Sequence, residues 1–303
     1  MSDLPRVGVV GIGLIGLPVA SNLLSAGYSV AGYRRSPAPE FQAEGGQLLE
    51  SAAAVTRASD IILVCLPGEE AQRQVMNGNG GILSALEPDK CVVELGTYSR
   101  DFKRDLAKRI EERGATALEA EISGSPVMVR QKTAAFYVGG APDVYARCEP
   151  VLQAITQHRF LIGDYGSAVT MKLIANYLLT IHTLAAAEAV NLGSMAGFDP
   201  QLIASVISQG AGNSAMFSIR APMMAQRRFS PAAGPFLTLE KYLKLNEDLV
   251  ESIGAASPLF SAALPYFKRA IQDGIGTEDI AAVIKLVEAD SAAPQPTEIR
   301  KQT

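Results

Sequence analysis

Short apolar runs alternate with helix-like segments over the first half of the chain. Helical spacing covers residues 18–26 and 101–113, and a glycine follows each of these two segments. Strand-like apolar or β-branched runs occupy residues 7–10, 29–33, 61–66, 91–95, 117–122 and 134–138. Strands separated by helix-length segments predict an α/β domain built on a doubly wound parallel sheet.

The second half of the chain has a different pattern. Residues 167–192 contain neither glycine nor proline, and about 26 helical residues would span roughly 39 Å. Further helical patterns, with no convincing strand among them, cover residues 200–208, 214–226, 238–254, 258–272 and 277–289. We therefore predict three parts, an N-terminal α/β domain over 1–164, an interdomain helix over 165–194 and an all-helical domain over 195–303. The polar residues 291–303 are expected to fray.

Composition limits the classes of function. Of the 303 residues, 48% are hydrophobic and 19% charged, with a net charge of −4, which favours a packed core and disfavours a general binder of nucleic acid or anionic membranes. Three cysteines without a CxxC pair and only two histidines predict neither a disulfide framework nor a metal site. With no basic leader and no run of about 20 uncharged apolar residues, we expect a soluble cytoplasmic protein.

A glycine-rich loop links the first strand to the first helix. It consists of Gly11, Ile12, Gly13, Leu14, Ile15 and Gly16. In a Rossmann-type fold the first glycine allows a tight turn, the second lets the backbone approach a pyrophosphate, and the third lets the helix pack on the strand. The unpaired N–H groups of the helix start favour phosphate. A glycine turn without a ligand is the alternative.

The end of the second strand bears on the choice of cofactor. Arg34, Arg35 and Ser36 stand there, and no carboxylate follows until Glu40. An NAD site usually has an acidic residue at this place for the ribose 2′-hydroxyl, whereas arginine can clamp a 2′-phosphate. The pattern favours NADP(H) over NAD(H). Two solvated surface arginines are the alternative.

Four motifs follow one another along the chain. They are the glycine loop, residues 122–126 followed by Gly139 and Gly140, residues 163–168 followed by Lys172 and Asn176, and residues 241–243. In this order they resemble the β-hydroxyacid dehydrogenase family, which includes 3-hydroxyisobutyrate dehydrogenase, tartronate semialdehyde reductase and, more distantly, 6-phosphogluconate dehydrogenase. The resemblance covers nearly the whole chain. The turn Leu95–Gly96–Thr97 also resembles the family's turn beside the nicotinamide.

The resemblance implies further binding residues. Leu66, Pro67, Thr97 and Lys241 would join the glycine loop in binding the cofactor. Backbone N–H groups and hydroxyls in a turn can hold a carboxylate. The expected substrate residues are Ser123, Gly124, Ser125, Asn213 and Phe236. The alternatives are a plain turn at 123–125, an ordinary helix–helix loop at 210–214, a core aromatic at Phe236 and a surface lysine at Lys241.

Lys172 is the candidate general acid/base. Oxidation of an alcohol needs a hydride acceptor, which the cofactor supplies, and a group that takes the hydroxyl proton. Partial burial can bring a lysine pKa toward the working pH, as acid–base catalysis requires. Asn176 follows at i+4 on the same helical face, and Ser123 completes the expected catalytic set. Such a site would interconvert a small 3-hydroxy acid, or a threonate-like sugar acid, and its semialdehyde or keto acid.

Several positions depart from the family pattern. Glu121 stands where proline is common, and Gly96, Ala168 and Tyr242 replace serine, glycine and aspartate. A glutamate near the pocket would disfavour a second anionic group on the substrate. The alternatives are an imine reductase on the same scaffold and a non-catalytic NADP-binding sensor; a decarboxylating sugar-phosphate dehydrogenase would have a longer helical domain. A homodimer or homotetramer is expected.

Overall fold

A computed structural model describes residues 4–291. The chain divides into two compact units, residues 1–172 and residues 173–303. Most of the C-terminal stretch that is predicted to fray, residues 292–303, lies outside the described residues. The division into parts at residues 164 and 194 stays a prediction.

The first unit contains a single mixed sheet. Its spatial order is β3-β2-β1-β4-β5-β6-β7-β8, and every neighbouring pair is parallel except β6 and β7, which are antiparallel. The strands are β1 (Val7–Val10), β2 (Val30–Tyr33), β3 (Gln47–Leu48), β4 (Ile61–Val64), β5 (Cys91–Glu94), β6 (Thr116–Ser123), β7 (Ala135–Gly139) and β8 (His158–Gly163). The predicted Rossmann-type doubly wound fold is confirmed in this unit.

The sequence prediction of a wholly parallel sheet is wrong at β7. Only residues 124–134 connect β6 to β7, and a parallel crossover needs about a dozen residues or more. The chain therefore turns back and pairs antiparallel. Strands β3 and β8 were not predicted, because β3 has two residues and β8 exposes much of its length at the sheet edge.

Helices cover both faces of this sheet. In β4, Ile61 and Leu63 belong to one apolar cluster, and Ile62 and Val64 belong to another, as the alternation of strand side chains requires. This double burial explains the continuous apolar run at β4. The helices are α1 (Gly16–Ser25), α2 (Pro39–Ala43), α3 (Ala52–Ala58), α4 (Glu69–Met76), α5 (Ile82–Ala85), α6 (Arg100–Glu111), α7 (Pro126–Arg130) and α8 (Pro142–Ile155).

The long helix and the second unit follow the sequence prediction closely. Helix α9 has the length and hydropathy of a membrane span, but 44% of that stretch is buried within the protein, and core helices meet the same criteria. No strand is present between residues 173 and 291. The elements are α9 (Ser167–Met195), α10 (Pro200–Ile207), α11 (Ala215–Ala225), α12 (Phe236–Ile253), α13 (Pro258–Gln272), a 3-10 turn (Ile280–Val283) and α14 (Ile284–Asp290).

Candidate active site

The glycine loop has the geometry that a dinucleotide pyrophosphate requires. Gly11 adopts a φ of 103°, and a Cβ there would lie 2.1 Å from the Cys65 carbonyl oxygen. A Cβ at Gly16 would lie 1.9 Å from the Gly11 carbonyl oxygen, so the start of α1 packs directly on the loop. A Cβ at Gly13 would meet nothing within 4 Å. The loop is therefore tight at its two ends and open at Gly13, where a phosphate can approach the backbone.

The loop borders a cavity of about 370 Å³, which we call the glycine-loop cavity. The arginine side chains beyond β2 reach the same cavity, and Arg34 Nε donates a hydrogen bond to Ser36 Oγ over 3.0 Å. No acidic residue lines the cavity in the described part of the chain. The predicted cofactor residues that line it are Gly11, Ile12, Gly13, Arg34, Arg35, Ser36, Leu66 and Pro67.

The other loop residues have different surroundings. Leu14 is 84% exposed, and Ile15 is half-buried against the apolar core of the sheet. Neither of them lines the cavity. The residues of the cavity fit a dinucleotide, because they combine open backbone N–H groups at a helix start with two cations at the end of the second strand.

A buried charged cluster lies beside the next strands of the sheet. Lys103 of α6, Glu94 of β5 and Glu119 and Glu121 of β6 are all fully buried, and we call these four residues the Lys103 cluster. Lys103 Nζ donates to a carboxylate oxygen of Glu121 and lies 3.1 Å from Glu119 Oε2. It also donates to the Gly96 carbonyl oxygen over 3.0 Å. One ammonium therefore links β6 to the turn that follows β5.

The cluster also holds Thr97. The Thr97 hydroxyl donates to Glu121 Oε2 over 2.6 Å, so this predicted cofactor residue is fixed by a carboxylate from the neighbouring strand. The Glu121 carboxylate is buried and paired with the Lys103 ammonium; its effect on a second anionic group of the substrate stays a prediction. The structure therefore assigns Glu121 contacts within the Lys103 cluster.

Glu119 anchors the start of the long helix. Its Oε1 accepts hydrogen bonds from the backbone N–H of Gly166 over 2.6 Å and of Ala168 over 2.7 Å. Orphan N–H groups and the positive end of the helix dipole favour a carboxylate there. Lys172 lies a little more than one turn further along α9 and is half-buried. The Lys103 cluster therefore connects the Thr97 turn to the first turns of the helix that carries Lys172.

The pKa values within the cluster are strongly displaced. Burial alone would lower the pKa of Lys103, but the carboxylates of Glu121, Glu119 and Glu94 together raise it. Burial raises the pKa of Glu94 from 4.5 to about 8, against the opposing effects of Lys103 and of the Gly96 N–H. Burial also raises the pKa of Glu121, against the opposing effects of Lys103 and of the hydrogen bond from Thr97. The cluster therefore favours the charged form of Lys103 and holds the proton of Glu94 to a higher pH than a free glutamate does.

Replacing Glu94 with glutamine is expected to reduce the pH dependence of stability. The folded protein keeps the Glu94 proton between pH 4.5 and about 8, whereas the unfolded chain has released it, so stability is lost as the pH rises through this range. Two pH units within that range correspond to roughly 2–3 kcal/mol. Urea unfolding at a series of pH values measures the slope. The exposed Glu111→Gln on α6 is the matched control, and a Glu94→Gln slope as steep as the native one would contradict the assignment.

The predicted substrate turn follows β6. Ser123 ends the strand, and Ser125 caps α7 by accepting a hydrogen bond from the Met128 N–H over 3.3 Å. A Cβ at Gly124 would lie 2.8 Å from the Ala134 side chain, so this glycine permits close packing of the turn. Glu119, Glu121 and Ser123 alternate along β6 and therefore share a face of the sheet. Substrate binding by this turn stays a prediction.

The remaining predicted residues belong to the second unit. Asn176 is buried in α9, four residues after Lys172. Asn213 accepts a hydrogen bond from the Ser218 hydroxyl over 2.8 Å. Phe236 is buried in the core, with its ring 5.8 Å from that of Phe267, as the core-aromatic alternative expects. Lys241 lies on α12, with its ammonium 5.0 Å from the ring of Tyr242. Their roles toward substrate or cofactor stay predictions.

The sequence analysis missed the Lys103 cluster, although a signal exists. The buried residues of α6 include Lys103, Leu106, Ala107 and Ile110, which share the i, i+3, i+4, i+7 spacing of one helical face. A lysine on that apolar face needs a buried partner. Carboxylates inside the apolar runs of β5 and β6 are the complementary signal.

Comparison with known proteins identifies the chain. The family model described as the NAD binding domain of 6-phosphogluconate dehydrogenase matches residues 6–163. The model described as NAD-binding of NADP-dependent 3-hydroxyisobutyrate dehydrogenase matches residues 166–287. The two matches together cover most of the chain, in the order of the two units.

Individual relatives agree with the models. L-threonate dehydrogenase of Cupriavidus necator is 31% identical over 284 residues, which cover 93% of this chain and 95% of that protein. Glyoxylate/succinic semialdehyde reductase 2 of Arabidopsis thaliana is 30% identical over 285 residues, covering 93% and 79%. The solved 3-hydroxyisobutyrate dehydrogenase of Mycobacterium tuberculosis has a TM-score of 0.86 at 26% identity, covering 94% and 99%. The chain is therefore an NAD(P)-dependent oxidoreductase that acts on the hydroxyl group of a small molecule, and it belongs to the β-hydroxyacid dehydrogenase family.

Proposed function

We propose that this enzyme interconverts a small 3-hydroxy acid, or a four-carbon sugar acid of the threonate type, and its semialdehyde or keto acid, with NADP(H) as cofactor and Lys172 as general acid/base. The carrying observation is the Lys103 cluster. Through Glu121 it fixes Thr97, and through Glu119 it fixes the N-terminus of the helix that bears Lys172. A reaction that pairs hydride transfer with proton transfer needs its cofactor and its acid/base group held in a fixed relation.

The preference for NADP(H) is supported by the end of the second strand. Arg34 and Arg35 line the glycine-loop cavity without an acidic residue among its lining in the described chain. The hydrogen bond from Arg34 Nε to Ser36 Oγ orients the guanidinium and leaves its terminal N–H groups for a phosphate. An NAD-selective site would need a carboxylate here to accept from the 2′-hydroxyl.

Residues of the chain carry out the proton transfer and bind the substrate. When bound, the nicotinamide accepts or delivers the hydride. Lys172 takes the hydroxyl proton during oxidation and returns it during reduction. Asn176 lies four residues along the same helix, a spacing that places both side chains on one helical face. Ser123, with the N–H groups that follow it, binds the substrate carboxylate.

The substrate class is supported by the named relatives. L-threonate dehydrogenase and glyoxylate/succinic semialdehyde reductase each cover most of this chain at 30–31% identity. Both names describe hydroxy acids or the aldehydes related to them. The homo-oligomeric assembly and the cytoplasmic location stay predictions.

The test is NADP⁺ reduction, followed by nicotinamide absorbance, over a panel of 3-hydroxy acids and four-carbon sugar acids. We expect turnover of at least one panel member, and its semialdehyde should be reduced by NADPH. Turnover of cyclic imines alone would replace the proposal with an imine reductase. Tight NADPH binding without turnover of either panel would replace it with a non-catalytic sensor.

A further inference from the structure

Glu121 and Lys103 set the hydrogen-bonding polarity of Thr97. Glu121 uses one carboxylate oxygen for the Lys103 ammonium and the other for the Thr97 hydroxyl. The Thr97 proton is therefore directed toward Glu121 of β6. A hydroxyl carries one donor and two acceptor lone pairs, so a Thr97 oxygen that has donated to Glu121 can only accept from a ligand.

Lys103 keeps that arrangement in place. A buried carboxylate needs a paired charge, and Lys103 supplies it without any contact with solvent. The other titratable groups that interact with this pair are Glu94 and Glu119 of the Lys103 cluster and the buried hydroxyls of Tyr98 and Tyr165. Glu119 shares the same ammonium at 3.1 Å and is also satisfied by the two N–H groups at the start of α9.

The Thr97 turn is joined to the glycine-loop cavity. Tyr98, the next residue, donates from its hydroxyl to the Leu66 carbonyl oxygen over 3.0 Å, and Leu66 lines the cavity. The ring of Tyr98 also packs against Gly96, where a Cβ would lie 2.2 Å from the Tyr98 hydroxyl. The turn after β5 is therefore fixed on one side by the cavity wall and on the other by the Lys103 cluster.

We propose that Glu121, held by Lys103, is a positioning residue that makes Thr97 an obligate hydrogen-bond acceptor for the carboxamide N–H of the nicotinamide. The inference rests on the proposed function only in placing Thr97 at the nicotinamide. Amide N–H is the donor that distinguishes this end of the cofactor from a ketone analogue of the same shape. Glu121 and Lys103 then favour the carboxamide over a ketone through Thr97, without contacting the cofactor themselves.

The experiment compares the dissociation constants of NADP⁺ and its 3-acetylpyridine analogue, in which a methyl group replaces the carboxamide NH₂. The native protein is expected to bind NADP⁺ about fivefold to tenfold more tightly than the analogue, the worth of one hydrogen bond. Thr97→Val should reduce this ratio to about one, and Thr97→Ser should retain it. A native ratio of one would overturn the proposal.

Glu121→Gln tests the positioning role. Lys103 can donate only to the amide oxygen of the new side chain, so the amide nitrogen turns to Thr97 and donates to its oxygen. The Thr97 hydroxyl is then released to donate, and the preference for NADP⁺ should fall to about one. A Glu121→Gln protein that keeps the native ratio while Thr97→Val loses it would show that Glu121 plays no part.

Two controls distinguish a failure of this proposal from a failure to fold and from a failure of the 2′-phosphate assignment. Adenosine 2′,5′-bisphosphate, which lacks the nicotinamide, should bind all variants with dissociation constants within about twofold of native, since the glycine-loop cavity is untouched. If Glu121→Gln does not fold, the triple variant Lys103→Met/Glu119→Gln/Glu121→Met removes the ammonium together with both carboxylates that pair with it, and it leaves the Thr97 hydroxyl without its acceptor. Such joint removal is tolerated better than a single removal. A retained ratio in that protein would equally overturn the proposal. If the 2′-phosphate assignment fails instead, adenosine 2′,5′-bisphosphate should bind no more tightly than 5′-AMP. The ratio of the dissociation constants of NADP⁺ and its 3-acetylpyridine analogue would then be unaffected.

Discussion

Lys172→Ala is expected to lower kcat about a thousandfold while the dissociation constant of NADPH changes less than about twofold. General acid/base catalysis contributes about 10²–10⁴ in rate, and the loss would fall on the step that moves the hydroxyl proton. Lys172 lies outside the lining of the glycine-loop cavity, so the adenosine and phosphate contacts are retained. Steady-state kinetics on the best substrate of the panel, with NADPH titration by fluorescence, separates the two effects.

The matched control is Lys244→Ala, which removes a lysine that is 77% exposed on α12. It should leave kcat unchanged. A small primary amine added to the Lys172→Ala protein should restore part of the rate, because it can occupy the vacated volume and carry the proton. If NADPH binding collapses in Lys172→Ala, or if turnover persists near the native rate, Lys172 is not the acid/base group.

The shape of the glycine loop could be predicted because its determinants are local. Gly11 and Gly16 act through backbone conformation and close approach, and the backbone at Gly13 is open. Arg34, Arg35 and Ser36 follow β2 directly, so their place at the cavity follows from the strand that precedes them.

The Lys103 cluster could not be predicted from the sequence in the same way. Four residues form it, and they come from three separate elements, β5, α6 and β6: Glu94, Lys103, Glu119 and Glu121. Their meeting depends on the pairing of β5 with β6 and on how α6 covers those strands. Such a set is a tertiary property, and the local signals, which are the helical face of Lys103 and the carboxylates inside the apolar runs of β5 and β6, do not show that these residues meet.

Strand β7 shows where the prediction of sheet topology from the sequence failed. Its apolar run is clear at residues 134–138, but direction depends on the length of the connection, and alternation of strand and helix signals alone favours a parallel neighbour. The short connection over residues 124–134 contains only the five-residue helix α7. Counting that connection against the dozen residues of a crossover would have given the antiparallel pairing.

The double variant Arg34→Leu/Arg35→Leu is expected to weaken NADPH about 100-fold or more and to change NADH less than about threefold. Hydrogen bonds to charged groups contribute about 1.5–3 kcal/mol each, and a 2′-phosphate would receive them from both guanidinium groups. NADH carries only a hydroxyl at that place, so the same loss of charge costs it little. Parallel titrations of the two cofactors at fixed ionic strength measure the ratio.

Ser36→Ala separates the effect of the orientation of Arg34 from the effect of the positive charges of Arg34 and Arg35. It removes the acceptor of the 3.0 Å hydrogen bond from Arg34 Nε and keeps both cations, so NADPH should weaken by only about threefold to tenfold, the effect of a single hydrogen bond. For the double variant, Arg113→Leu/Arg228→Leu, which changes two exposed positions away from the glycine-loop cavity, controls for the loss of two positive charges. Equal losses of NADPH and NADH in the double variant would show that these arginines do not recognise the 2′-phosphate. A selective loss of NADPH would establish that the two cations after β2 determine the preference for this cofactor.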